Sequence, residues 1–407
     1  MHIRRKGRKI YTYRVKNRRV FSKYHPMRSA LSTVLTLVVL AFLGVVGYNV
    51  VGPLVTRLSA EKERPTMTPD PYIYEEQQTT AVTTIGSDSQ EEITTETTAA
   101  PMLTPLQLSL YLNPNALSDI EKLRTVVSEA AAEGYHAVVV PLKLSGGALQ
   151  YQSLVNEAKE CGATSETLPT LSEIATTISE CGVFPIARIE TISDHLMPAE
   201  YQETGYRNTA TEKLWRDDET GAEGKPWMTP FADESRQYLQ NIASEIANAG
   251  FRNVICGGVE YPHFMESDYE ILGPMLSDEA SRSSGLVGML NAIGDATSAA
   301  VCEVELSRAI AGEEESLNPD ALNLTTAMVL IDFDKFNGTF FHASERYDVS
   351  KLAYPDKALM LMQIAEEVTG TMSVLPCIRS SNLTQSQLEA VIDTMYEIGY
   401  TEIFIQS

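Results

Sequence analysis

The chain has no C-x-x-C pair, no G-x-G-x-x-G or Walker-type loop, and only two tryptophans and six histidines in 407 residues. Without paired thiols a thiolate metal site has no framework. Without a glycine-rich loop after a strand there is no cradle for a nucleotide phosphate. Beyond Leu103 the histidines are His136, His195, His263 and His342, too widely spaced to read as a ligand set, so neither a metal nor another cofactor is expected.

Acidic residues are missing from the N-terminus: none precedes Glu61, whereas Arg4, Arg5, Lys6, Arg8, Lys9, Arg14, Lys16, Arg18, Arg19, Lys23 and Arg28 crowd it. No charged side chain lies between Arg28 and Arg57, and Leu31 to Val51 supplies the roughly 20 apolar residues an α-helix needs to span a bilayer. Basic residues stay on the cytoplasmic side, so residues 1–28 read as a cytoplasmic tail, 29–53 as a transmembrane helix, and the remainder as exported from the plasma membrane. A cleavable signal peptide is the alternative. Its apolar core is usually roughly 7 to 15 residues, shorter than this run, and Gly52-Pro53-Leu54 makes a poor cleavage site.

Twelve of the 32 basic residues, counting Arg57, belong to this head, so the other 20 face 54 acidic ones, a balance near −34. Such a surface repels phosphate backbones and excludes nucleic acid as a partner. Five cysteines is an odd number for an exported chain. Cys256, Cys302 and Cys377 lie in apolar runs as small buried hydrophobes, leaving Cys161 and Cys181, at segment ends, as the two placed to pair. Residues 54–103, rich in Thr, Glu and Pro, lack the apolar content to offset ordering entropy and read as a flexible stalk.

The remaining 104–407 alternates amphipathic segments with short apolar runs. Four junctions place glycine where a helix ends and a strand begins: Gly134, Gly182, Gly250 and Gly399. Capping-box spacing marks helix starts at Ser118 with Glu121, Thr170 with Glu173 and Thr384 with Gln387. Ile120, Leu123, Val127 and Ala130 recur at helical spacing. Candidate strands, continuous apolar runs of the kind buried on both faces, are Leu106–Leu112, Ala137–Leu142, Phe184–Ile189, Val254–Val259, Val301–Leu306, Ala327–Phe333, Ser373–Ile378 and Glu402–Ile405. The pattern predicts an α/β fold, a closed (β/α)8 TIM-type barrel, with a doubly wound open sheet as the alternative.

Phe184-Pro185-Ile186-Ala187-Arg188-Ile189, Leu214-Trp215-Arg216-Asp217, Trp227-Met228-Thr229-Pro230, and Gly250-Phe251 through Val259-Glu260-Tyr261-Pro262 occur in one order. Together they resemble the glycoside-hydrolase-like family of bacterial barrel proteins known as DUF4015, distantly related to α-amylase-like barrels. The resemblance covers most of Leu106 to Ser407 and implies a site at the carboxyl ends of the strands acting on glycosidic bonds. It also exposes departures. Relatives carry a D-Y-V-R-F-P-like motif after the fourth strand, where this chain has Gly257-Gly258-Val259-Glu260-Tyr261-Pro262. Where they read D-V-K-D, Pro141-Leu142-Lys143-Leu144 keeps the lysine alone, and Thr229 replaces an aspartate.

Glycoside hydrolysis normally uses two carboxyls flanking the scissile bond, and Gly257 supplies none. Glu303, near an acid of the family's fifth strand, and Glu260 are the candidate catalytic pair. Strand alternation puts Glu303 with Glu305, and Asp332 with Asp334, on common faces. Lys143, Arg188, Asp194, Trp215, Tyr261, Glu305 and Asp332 are candidate substrate-binding residues, with the indole of Trp215 suited to stacking on a sugar. Two readings of the carboxylates stay open, since Lys143 and Arg188 could equally pair with them in an internal ion network. The expected partners are a cell-envelope or extracellular polysaccharide and the membrane. The alternative is a non-catalytic carbohydrate-binding or structural module, and a metal-dependent polysaccharide deacetylase lacks its ligands.

Overall fold

The computed structural model describes residues 105–217, 224–251, 253–297, 299–311 and 326–406. The expected tail, transmembrane helix and stalk over 1–103 lie outside these residues. Among those described, no helix is long and apolar enough to cross a membrane.

The described residues form ten strands: β1 Gln107–Tyr111, β2 Ala137–Lys143, β3 Phe184–Glu190, β4 Asn253–Gly257, β5 Ala299–Glu305, β6 Thr326–Asp332, β7 Thr339–His342, β8 Glu345–Asp348, β9 Ser373–Arg379 and β10 Glu402–Gln406. Eight close into a parallel barrel in the order β1-β10-β9-β6-β5-β4-β3-β2, which excludes the open sheet. The antiparallel hairpin β7–β8 stands apart. The apolar pattern of the sequence does not predict it, and Ala343 and Ser344 at its tip take the positive φ typical of tight hairpin turns.

Local chemistry accounts for the elements. In the helix Ile120–Ala132, Leu123, Val127 and Ala130 are buried, and Thr170 and Thr384 each form a reciprocal capping box. The expected box at Ser118 does not form. Asp119, with an extended backbone, caps the helix by accepting from the Glu121 amide, while the Ser118 hydroxyl donates to the Asn115 carbonyl in the preceding 3-10 turn. Gly134, Gly182, Gly250 and Gly399 all adopt positive φ, as helix-ending glycines do.

Period-two alternation divides the core. Val138, Val140, Ala187, Ile189, Cys302 and Val304 pack into one outer cluster, and Val329, Ile331, Ile378, Ile403 and Ile405 into a second. Tyr111, Val139, Ile255, Val301, Met328, Leu330, Cys377 and Phe404 fill the barrel's interior. Cys256, Cys302 and Cys377 are wholly buried, as expected of apolar thiols. Cys161 and Cys181 do not pair: all five cysteines are free, with Cys161 Sγ donating to the Ala158 carbonyl and Cys181 Sγ lying 3.4 Å from Ser128 Oγ.

Candidate active-site cleft

Five inward-facing rows that are apolar low in the barrel turn polar at their carboxyl ends. Ile186 is followed on its face by Arg188 and Glu190, Val301 by Glu303 and Glu305, Leu330 by Asp332, Cys377 by Arg379, and Phe404 by Gln406. Closure of the sheet brings these ends together. Arg188, Glu190, Glu260, Glu303, Glu305, Arg308, Arg379 and Gln406 line one cleft of about 270 Å³.

Arg188 is its hub. Nε donates to Glu303 Oε2 at 3.0 Å, and Nη2 donates to Glu303 Oε1 at 2.7 Å and lies 2.9 Å from Glu190 Oε1. The Tyr111 hydroxyl adds a 2.9 Å bond to Glu303 Oε2. The Arg188, Glu190 and Glu303 side chains keep 14 %, 14 % and 11 % of their exposure, so solvent screens the network weakly. Burial opposes the charge on Glu303, but the Arg188 guanidinium and then the Tyr111 hydroxyl outweigh it and hold the carboxyl below the usual glutamate range. Glu260 goes the other way. Burial raises its pKa, the Arg308 guanidinium pulls it down, and nearby Glu190 and Glu305 help keep the net shift upward. Arg379 bonds Asp332 at 2.8 Å and Gln406 at 3.0 Å.

Two glycines make room for this network. A Cβ on Gly257 would come within 2.3 Å of Arg188 Nη2, so the place where relatives carry an aspartate is here filled by the guanidinium. Gly258, at φ +58°, would put a Cβ within 2.2 Å of Glu190 Oε2. The Gly258→Ala variant is expected to lose about 1–2 kcal/mol from the left-handed backbone alone, and more from displacing Glu190. Denaturant unfolding measures it; an unchanged midpoint would show that the segment shifts freely.

Of the residues expected at the site, Arg188, Glu260, Glu303 and Glu305 line the cleft, and Asp332 stands beside it as the partner of Arg379. Lys143 and Asp194 do not reach it. Both side chains are fully buried, with Nζ and Oδ2 2.9 Å apart as an ion pair that lacks hydrogen-bond alignment at Oδ2. Lys143 Nζ donates to the Glu190 carbonyl, and Asp194 Oδ1 accepts from the Leu196 and Met197 amides, so the pair braces the floor of the cleft rather than a ligand. Tyr261 is 4 % exposed and its hydroxyl donates to the Arg282 carbonyl. Trp215, 8 % exposed, packs with Tyr206 and Phe264 beside a separate cavity. Asp334 leaves the expected face because β6 ends at Asp332, and its amide turns back to donate to Asp332 Oδ1. Tyr111, Glu190, Arg308, Arg379 and Gln406 were missed. Glu190, Arg379 and Gln406 each sit one residue beyond an apolar run, the available signal. Among the described residues no group of three or more His, Cys, Asp or Glu is arranged to hold a metal ion.

Residues 109–312 match the family model described as "Putative glycosyl hydrolase domain", DUF4015. No curated protein matches the chain. Among solved structures, the glycoside hydrolase domain of PgaB (BpsB) from Bordetella bronchiseptica is 10 % identical, covering 74 % of this chain and 94 % of that one with a TM-score of 0.50. A hypothetical protein from Ruminiclostridium thermocellum ATCC 27405 is 19 % identical over 53 % of this chain and all 100 % of that one, with a TM-score of 0.39. The catalytic domain of a β-amylase from Paenibacillus polymyxa is 10 % identical, covering 74 % and 91 % at 0.45. At 10 % identity the likeness to the Bordetella domain speaks to the barrel alone. The family match spans half of the sequence, and the chain belongs to DUF4015.

Proposed function

We propose that the barrel hydrolyses glycosidic bonds in a cell-envelope or extracellular polysaccharide, held outside the plasma membrane by the basic head and apolar span. The observation that carries this reading is a pair of glutamates lining one cleft whose environments push their pKa values in opposite directions, Glu260 up and Glu303 down. That is the division of labour an acid-assisted glycoside cleavage needs. In this reading Glu260, with its pKa shifted upward, is the proton donor to the leaving-group oxygen, and Glu303, with its pKa shifted downward, is the carboxylate that stabilises positive charge developing on the sugar. A second reading, a glycan-binding module without turnover, draws on one specific observation: both oxygens of Glu303 are already engaged by Arg188, and Gly257 offers no carboxylate in its place.

Reducing-end release from a panel of envelope and storage glycans by the purified full-length chain separates the two. Hydrolysis is expected to trace a bell against pH, falling below the ordinary glutamate range as Glu303 takes up a proton and above it as Glu260 loses one. Glu260→Gln should cut turnover roughly 10²–10⁴-fold with the melting temperature retained. Glycan binding with no product at any pH sinks the catalytic reading and supports the second.

A further inference from the structure

The chain has two tryptophans, and the fold brings both, twelve positions apart, to the wall of one cavity of about 380 Å³ outside the cleft. Packing alone would explain tryptophans sunk in the core. Trp227, however, is only half-buried, and its plane is fixed on two sides: its Nε1 donates to Asp217 Oδ2 at 2.7 Å, and His195 meets it edge-on with ring centroids 5.1 Å apart. Trp215 is held at 5.0 Å from Phe264 and 6.0 Å from Tyr206. Arg216 and His263, both exposed, stand at the same wall. The rigid, half-exposed indole of Trp227, backed by the buried Trp215 and with charged and hydrogen-bonding groups at the same wall, suits a ligand with an apolar face and a polar perimeter, the surface of a pyranose ring.

The cavity is joined to the cleft through one stretch of backbone. After β4, Gly258, Val259 and Glu260 line the cleft, and Pro262 and His263 line the cavity. Glu260 and Pro262 are two residues apart, so their Cα atoms lie within about 7.6 Å. Tyr261 between them is pinned to the Arg282 carbonyl, which fixes the spacing of the two sites.

We propose that the Trp215–Trp227 cavity is a second sugar subsite, which grips a unit of the same polysaccharide some distance along the chain from the bond held in the cleft. The proposal rests on the carbohydrate reading of the cleft and deepens it: the substrate is a polymer, and length is recognised at the tryptophans. The tryptophan emission of the full-length chain, excited selectively over its 18 tyrosines, comes from these two residues alone, so it reports on the cavity while calorimetry reports on binding anywhere.

The experiment titrates the full-length chain with disaccharides and longer soluble oligomers of N-acetylglucosamine and of glucose, reading both signals. The longer oligomer is expected to bind roughly three- to tenfold more tightly than the disaccharide and to perturb tryptophan emission. Trp227→Ala should remove that advantage and leave disaccharide affinity intact, while Trp227→Phe, which keeps a flat ring, should restore part of it. Calorimetric binding with silent tryptophans, or affinity independent of length, overturns the subsite and leaves the cleft reading standing. Absence of binding to every oligomer overturns both.

Discussion

Lys143→Met is expected to destabilise the barrel by about 3–5 kcal/mol, lowering the melting temperature by on the order of 10 °C. The lysine ends β2 with no exposed side-chain surface, and its ammonium makes one ion pair, to Asp194, and one hydrogen bond, to the Glu190 carbonyl. Methionine fills most of the aliphatic volume, so the loss isolates the charge. Asp194 would be left ionised, buried and without a cation, and it cannot turn to water: Oδ1 is fixed by the Leu196 and Met197 amides, and Gly147 lies against the same carboxyl. Asp194→Asn, which retains an oxygen for those amides but strands the lysine, should cost a comparable amount. A Lys143→Met protein whose unfolding midpoint stays within experimental error of wild type would mean that the Lys143–Asp194 pair contributes nothing net to stability. The effect should also reach the cleft, since the same ammonium fixes the backbone from which Glu190 reaches Arg188.

The barrel was legible in the sequence because each strand is a short apolar run closed by helix-capping chemistry that reads locally. All eight expected runs are strands of the closed sheet. The site was less legible for a reason tied to the same signal. Ending strands at the last apolar residue clipped Glu190, Arg379 and Gln406, although in a closed barrel the residue after the apolar run is the one presented to the cleft. Arg188, Glu303 and Glu305 survived because charged residues inside an apolar run stand out. Lys143 and Asp194 entered through the family resemblance, and a resemblance does not tell a buried charge aimed at a ligand from one satisfied by its neighbour. That distinction needs the register shift between Pro141 and Lys143, where β2 departs from regular pairing with β3. The hairpin β7–β8 escaped because its alternating polar and aromatic residues bury no continuous face.

Arg188→Met carries the largest expected consequence at the site, and its pH dependence tells it apart from a packing defect. In the wild type Glu303 has a folded-state pKa below its ordinary value, so its ion pairs add stability that is fully present above the unfolded-state pKa and is lost as pH falls through the depressed folded value. Removing the guanidinium leaves Glu303 and Glu190, both nearly buried, with the cation they share gone. Burial, already the largest influence on Glu303, is then opposed only by the Tyr111 hydroxyl and the smaller pull of the Arg379 charge, and the folded-state pKa moves above the unfolded one. The variant is therefore penalised at neutral pH, by about 3–5 kcal/mol as for other broken buried pairs. It recovers as pH falls and the carboxyl protonates. Denaturant unfolding of both proteins from pH 7 down to about pH 4.5, near the ordinary glutamate value, should show the stability gap at its widest at neutrality and shrinking with acid. A gap that stays constant across that range would falsify the electrostatic account, since lost van der Waals contact around a methionine does not titrate. The Gly257 site offers the complementary observation. If the guanidinium is what fills the space beside that glycine, Arg188→Met should make Gly257→Asp better tolerated than it is in the wild type, where the new side chain must displace Nη2.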